Sequence, residues 1–437
     1  MQTFRSLAIA YLVSGVSLLF SLQATEPAFR EPPLPRIPHR TFRITAFGAR
    51  ADEVTVNTKA IQTAINSAAT GGGGVVIVPP GNFLCGPIQL ASHVNLHLEA
   101  GATLTMLPLD QYPGGSMNPE NFVSGRELED VAITGAGAIE GQGSAWWPLA
   151  KTPGAKRPIM ISLSRCDRVL IDGITLRNSP MFHIGIGGKS TNVTVQGVTI
   201  RAPASNDPVN PSHNTDACDV SGHNILIRNC DVSVGDDDFT CGGGTSNVLI
   251  THCAYGHGHG VSIGSGTKGG VSNLTVTDCT FKDTDCGIRI KSDRDRGGLV
   301  SNLTFRNLRM TNVGFPILVY AAYMAKEPQY RDFNKLTPEI AATYPSAPID
   351  DRTPIYRDIT FSDITATAQA DHIAGLIWGL PEAPVTNLLL RNVDITAARS
   401  FGIYNADGVR VENCKITTPE GVNQFATTSA KIETVPR

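Results

Sequence analysis

The chain has 437 residues, 41% of them hydrophobic but only 6% aromatic, with 43 glycines and a formal charge of −3. No Lys/Arg-rich run interrupts it, which argues against nucleic acid or a membrane surface as partner. Affinity for an anionic ligand must therefore arise locally.

In chain order, residues 1–24 read as a signal peptide: Arg5 precedes the apolar stretch Leu7 to Phe20, which is too short to span a bilayer. This predicts a secreted protein, extracellular or periplasmic. Residues 25–40 hold five prolines and read as a leader, more linker than core. Residues 41–437 read as one domain. Its first element is a helix: Thr58 to Ala69 places apolar residues at 60, 61, 64, 65, 68 and 69, the period of a helix capping an open end. Gly71 to Gly74 lacks the Gly-Lys-Ser/Thr ending of a phosphate loop, so it is a turn into a first strand at Val75.

From residue 168 a template recurs: a polar residue, two alternating apolar positions, a polar or Gly corner, then another apolar residue. It begins at Arg168, Asn192, Asn224, Asn247, Asn273, Asn302, Asp358, Asn387 and Gly408. Alternation predicts strands, and a period in the twenties predicts a β-solenoid, an all-β parallel β-helix whose coils bury their apolar faces only by stacking. Asn192-Val-Thr, Asn273-Leu-Thr and Asn302-Leu-Thr are formal glycosylation acceptors, but as template residues these asparagines are expected to stack at coil corners.

Nine cysteines in an exported chain invite a disulfide reading. Cys230, Cys253, Cys279 and Cys414 share one template position and read instead as a buried thiol stack. That leaves Cys85, Cys166, Cys218, Cys241 and Cys286 as candidates for any bridge.

Asp216, Asp236, Asp237, His259, Arg289 and Lys291 lie in four short segments about one coil apart, and Asp236, His259 and Arg289 fall at nearly the same phase of successive coils, which pair about 4.8 Å apart. Three carboxylates would then share a surface with an imidazole and two cations. Glycoside hydrolysis needs one carboxylic acid to protonate the leaving oxygen and a second carboxylate to activate water or attack carbon. Crowding of the acids should raise the pKa of at least one. In Arg289-Ile-Lys291 the cations face one way while Ile288 and Ile290 face the core. Asp236 and Asp237 are consecutive, and Gly235 supplies a bend that brings both to the cleft. His257 reads as a surface residue. With Cys253 and His259 it lacks a second ligand pair at a zinc spacing, so no metal and no cofactor is expected.

At these residues the sequence resembles the polygalacturonases, glycoside hydrolase family 28. The matching words are Asn214-Thr-Asp-Ala217, Gly235-Asp-Asp237, Gly258-His-Gly260 with Ser262-Ile-Gly-Ser265, and Arg289-Ile-Lys291. Phe47-Gly-Ala, Pro79-Pro-Gly and Gly141-Gln-Gly-Ser-Ala-Trp-Trp147 extend the likeness, which spans about residues 42–417. The resemblance implies a right-handed helix and inverting hydrolysis of α-1,4-galacturonosyl linkages in pectin or polygalacturonate by a metal-free monomer. It makes Asp236 the general acid, Asp216 and Asp237 the holders of the attacking water, and His259 the residue that tunes them. Arg289 and Lys291 would bind the substrate carboxylate, with Tyr323 and Asn214 as further substrate contacts. Asp238 stands where many members have Cys and is expected to point away from the cleft.

Between Asn302 and Asp358 the template skips to a gap of 56, predicting a loop over about 321–353 beside the cleft. Its Tyr323, Tyr330 and Tyr344 are aromatic faces suited to sugars, and such a wall would favour attack near chain ends. Rivals are an exo-acting, rhamnogalacturonan or xylogalacturonan hydrolase of the same family, a Ca²⁺-dependent pectate lyase, and a non-catalytic polysaccharide-binding β-helix.

Overall fold

The computed structural model describes residues 29–435; the expected signal peptide lies outside them. Successive coils pair in parallel to form a right-handed parallel β-helix with three ladders. One ladder carries the sequence template, with Val193, Ile225, Val248, Leu274, Leu303, Ile359 and Leu388 paired in one inward row. A second aligns Ile200, Val232, Tyr255, Phe281, Met310 and Ala366. All of these side chains are buried, and each such aliphatic contributes roughly 1.5–3 kcal/mol relative to exposure. The third ladder holds Ile161–Ser164, Phe239–Cys241, Val261–Ile263, Cys286–Lys291, Phe315–Tyr320 and Ile373–Trp378, with the first halves of Ile184–Gln196 and Cys218–Arg228.

Backbone handedness explains the template. Every one of its opening residues, from Arg168 to Gly408, has a left-handed φ between 51° and 70°. The residue five positions later is also left-handed in every coil, as at Gly173, Asn229, Asp278 and Asn392. Asn, Asp and Gly tolerate this region best. The asparagines also stack: Asn224 donates to Asn192 (2.7 Å), Asn247 to Asn224 (2.9 Å) and Asn302 to Asn273 (2.7 Å). The structural use of these residues is thus present.

The helix Thr58–Thr70 buries Ile61, Ala64, Ile65 and Ala68 fully against the solenoid. The leader is less of a linker than its prolines suggest. The Arg36 N–H donates to Asp130 (2.9 Å) and Glu31 pairs with Arg228 (2.9 Å), so it is strapped across coils. All nine cysteines are thiols. Cys230, Cys253 and Cys279 are buried where other coils place Ile174, Val198 or Leu308, and each donates to a carbonyl two residues back. Cys414 departs from that expectation and is only half-buried.

The loop 321–353 does rise from the site ladder, but two of its tyrosines do not face a sugar. Tyr330 and Tyr344 are buried, with ring centroids 6.0 and 5.2 Å from Trp378. The outward rows of the ladder explain this. The row Asp219, Thr240, Ser262, Arg289 continues as Leu318 and Leu376, and the row of Lys291 continues as Tyr320, Trp378 and Tyr404. The sheet face becomes apolar after the site and needs a cover, which the loop supplies.

Candidate active site

The polar part of those outward rows floors a cleft of about 660 Å³. Asp216, Asp236, Asp237, Asn214, Lys291 and Tyr323 all line it. Gly235 is held by its N–H donating to Thr215 Oγ1 (2.9 Å), and Thr215 in turn donates to the Ser212 carbonyl (2.7 Å). That turn presents both consecutive aspartates to one side. Asp238 follows the strand alternation: it is buried away from the cleft and accepts the Gly260 N–H at 2.9 Å.

Asp237 is the electrostatic hub. Lys291 Nζ lies 3.0 Å from Oδ2, Ser262 Oγ donates to Oδ1 at 2.9 Å, and the Arg289 guanidinium pairs with Oδ1. Three donors thus converge on the Asp237 carboxyl group. Arg289 also donates to Ser262 (2.9 Å) and is not among the cleft-lining residues. Its charge faces Asp237, because it sits in register with Ser262 on the neighbouring coil. Lys291 does reach the cleft, with the Tyr323 ring centroid 5.4 Å from its ammonium.

Asp236 accepts from His259 Nδ1 (3.0 Å) and from the N–H and side-chain amide of Asn214 (3.2 and 3.3 Å). Burial acts to raise its pKa, but His259 and the nearby cations outweigh it and hold the carboxyl at about 2. His259 shows the complement. Burial opposes its charge, while Asp236 and Asp285, the latter 3.1 Å from Nε2, lift it to about 9. Within this pair the proton rests on the ring.

Asp216 is deeply buried, which pushes its pKa well up, and Asp219, Asp236 and Asp237 add to the rise. Its neighbour Asp219 is raised to about 8, mainly by burial and then by the charge of Asp237. Burial and mutual repulsion thus favour the protonated form of both. Asp219, Asp285 and Arg157 were not singled out from sequence. Asp219 carried a signal, its place in Asn214-Thr-Asp-Ala-Cys-Asp219 three residues after Asp216. Arg157 carried none: it reaches from another coil to the His213 carbonyl and Asn214 Oδ1, both at 2.7 Å. By occupying that oxygen it directs the Asn214 amide nitrogen at Asp236.

His257 is not the surface residue expected. It is half-buried between Ser233 (2.6 Å) and the Ala202 carbonyl (2.9 Å), which removes it from any metal set. Asp236, Asp237 and His259 do offer ligand atoms within 4.8 Å of one another. Lys291 and Arg289 already supply the positive charge at Asp237, so a divalent ion there would face two cations.

A parallel β-helix whose cleft gathers paired carboxylates, an imidazole and cations defines an O-glycosyl hydrolase. Residues 72–341 match the model of glycosyl hydrolases family 28, and the chain belongs to that family. An exopolygalacturonase of Zea mays is 30% identical over 82% of this chain and 84% of its own length. An endo-polygalacturonase of Pectobacterium carotovorum subsp. carotovorum is 29% identical over 82% and 88%. The solved structure of polygalacturonase from Erwinia carotovora ssp. carotovora superposes with a TM-score of 0.66 at 25% identity, covering 93% of this chain and 99% of that one.

Proposed function

We propose that the chain hydrolyses α-1,4-galacturonosyl linkages of polygalacturonate, the acidic backbone of pectin, by single displacement with inversion. The observation that carries this reading is the meeting of Asp216, Asp236 and Asp237 in one cleft of a family 28 chain, with His259 behind Asp236. Asp236 is the donor to the leaving oxygen. It draws on the proton held at His259 Nδ1, and the developing charge on the leaving oxygen makes that transfer favourable. Asp237, paired with Arg289 and Lys291, accepts a proton from the attacking water, and Asp216 orients that water.

The reading extends to attack near chain ends. The site ladder continues past Lys291 under a roof, where Tyr404 Oη donates to the Leu336 carbonyl (3.2 Å) and Arg399 to the Asn334 carbonyl (2.7 Å). A polymer lying along the sheet therefore has one direction closed. It extends also to export, on the strength of the Leu7 to Phe20 stretch; among the described residues no helix is long and apolar enough to cross a membrane.

The test is incubation with polygalacturonate, followed by reducing-end release, viscosity and product chromatography, with and without a chelator. Expected are reducing ends with little early loss of viscosity, short products, and rates indifferent to chelation. An ultraviolet-absorbing unsaturated product abolished by chelator would replace hydrolysis with elimination, and binding without new reducing ends would leave only a binding surface.

A further inference from the structure

The cleft contains glycines that neither backbone nor packing requires. Gly185, Gly187 and Gly266 line it, and none has a left-handed φ. A Cβ at Gly185 would meet nothing nearer than Ile159 at 3.5 Å, at Gly187 nothing nearer than Ser221 Oγ at 3.5 Å, and at Gly266 only Arg296 Nη2 at 3.7 Å. These are ordinary contacts, so a Cβ would fit the fold at each. What their absence leaves is a bare floor that a sugar ring can approach closely.

Arg296 stands at one end of this floor. It lines the cleft and is exposed, and its backbone is pinned: its carbonyl accepts from Thr267 (2.8 Å) and Lys268 (3.1 Å), and its N–H donates to Asp293 (3.1 Å). Arg289 and Lys291 pair with Asp237, Arg294 with Glu382 and Arg352 with Asp350. Among the described residues the Arg296 guanidinium has no acidic partner. The same cleft is lined by Asp216, Asp219, Asp236 and Asp237, an acidic lining that needs a facing cation to hold a polyanion. A guanidinium on a fixed backbone can take a carboxylate through two parallel hydrogen bonds.

We propose that Arg296 and the floor at Gly266 form a uronate subsite. The guanidinium holds the carboxylate of one galacturonate unit while its ring lies over Gly266, and Gly185 and Gly187 leave room for further units across the cleft. This rests on the galacturonan reading above and adds a specificity-determining residue to it.

Binding separates the two. Trigalacturonate and its fully methyl-esterified form are titrated calorimetrically into the wild type, Arg296→Gln and Gly266→Leu, with melting temperatures recorded alongside. The wild type should prefer the acid form by about tenfold or more, the magnitude of a charge-assisted pair. Arg296→Gln should reduce that preference to within about twofold, Arg296→Lys should recover part of it, and Gly266→Leu should weaken both ligands with the fold intact. An unchanged preference in folded Arg296→Gln overturns the subsite, as does failure of the wild type to bind trigalacturonate. A wild type that binds with the predicted preference yet releases no reducing ends defeats the hydrolytic reading and upholds the subsite.

Discussion

The acid Asp236 is held against its proton, at about 2, by the imidazole that supplies it. Such a pair works as a unit, so removing the carboxylate strands the proton on His259 with no path to the leaving oxygen. Asp236→Asn should lower kcat at least about a hundredfold while KM changes little, since Asn keeps the shape and can still meet Asn214 and His259. Steady-state kinetics on polygalacturonate, with a melting curve to establish folding, check this. Near-normal turnover would remove Asp236 from the mechanism. The four ordered words marked this residue and its immediate partners. Sequence did not show that Arg289 is spent on Asp237, because that depends on a pairing register set by coils on either side.

Each coil turns by forcing two residues into the left-handed region, and asparagine suits the first because its amide also bonds to the coil above. Asn247 makes both contributions: φ is 56° and its amide donates to Asn224 at 2.9 Å. Asn247→Ala should lose the hydrogen bond and pay for left-handed φ, at a combined cost of about 1–3 kcal/mol. Asn247→Gly should restore the conformational part and leave only the hydrogen-bond loss. Denaturant melts of the pair separate the two contributions; equal stability of the Ala and Gly variants would show that φ is not the constraint. The loop is also an element whose role changed with structure. Because Tyr330 and Tyr344 pack on Trp378, excising Glu327 to Ala347 should lower stability as well as alter products. Substitution at the exposed Tyr323 is therefore the cleaner probe of the cleft edge.

For the whole molecule, the buried acids and His259 tie stability to pH. Asp219 rises in the fold from an ordinary 3.8 to about 8 and His259 from 6.5 to about 9. Both bind more protons folded than unfolded over those intervals, so their contribution is complete below the unfolded values and lost as pH rises through the folded ones. Asp130 and Asp236, both lowered to about 2, behave oppositely: their contribution is present above 3.8 and lost as pH falls through 2. The melting temperature should therefore peak in mild acid and decline through pH 8 to 9. Asp219→Asn should flatten that alkaline decline. A melting temperature flat from pH 5 to 10 in the wild type would contradict the raised titration of Asp219 and His259.

The solenoid, its coil boundaries and most of the site were legible in the chain because a β-helix is built from local repeats. Alternation fixes which side chains enter the core, and the Asn and Gly corners fix where the chain turns. Asp236 and His259, at one phase of successive coils, were therefore placed together by counting, and the family's motif words added Asp216 and Asp237. What tertiary structure decided was everything that depends on contacts between coils: the pairing of Arg289 and Lys291 with Asp237, the reach of Arg157 to Asn214, and the burial of Tyr330 and Tyr344 under the apolar rows beyond the site. A repeat specifies a residue's phase on its own coil, whereas charge pairing and burial depend on the residues that neighbouring coils and loops place opposite it.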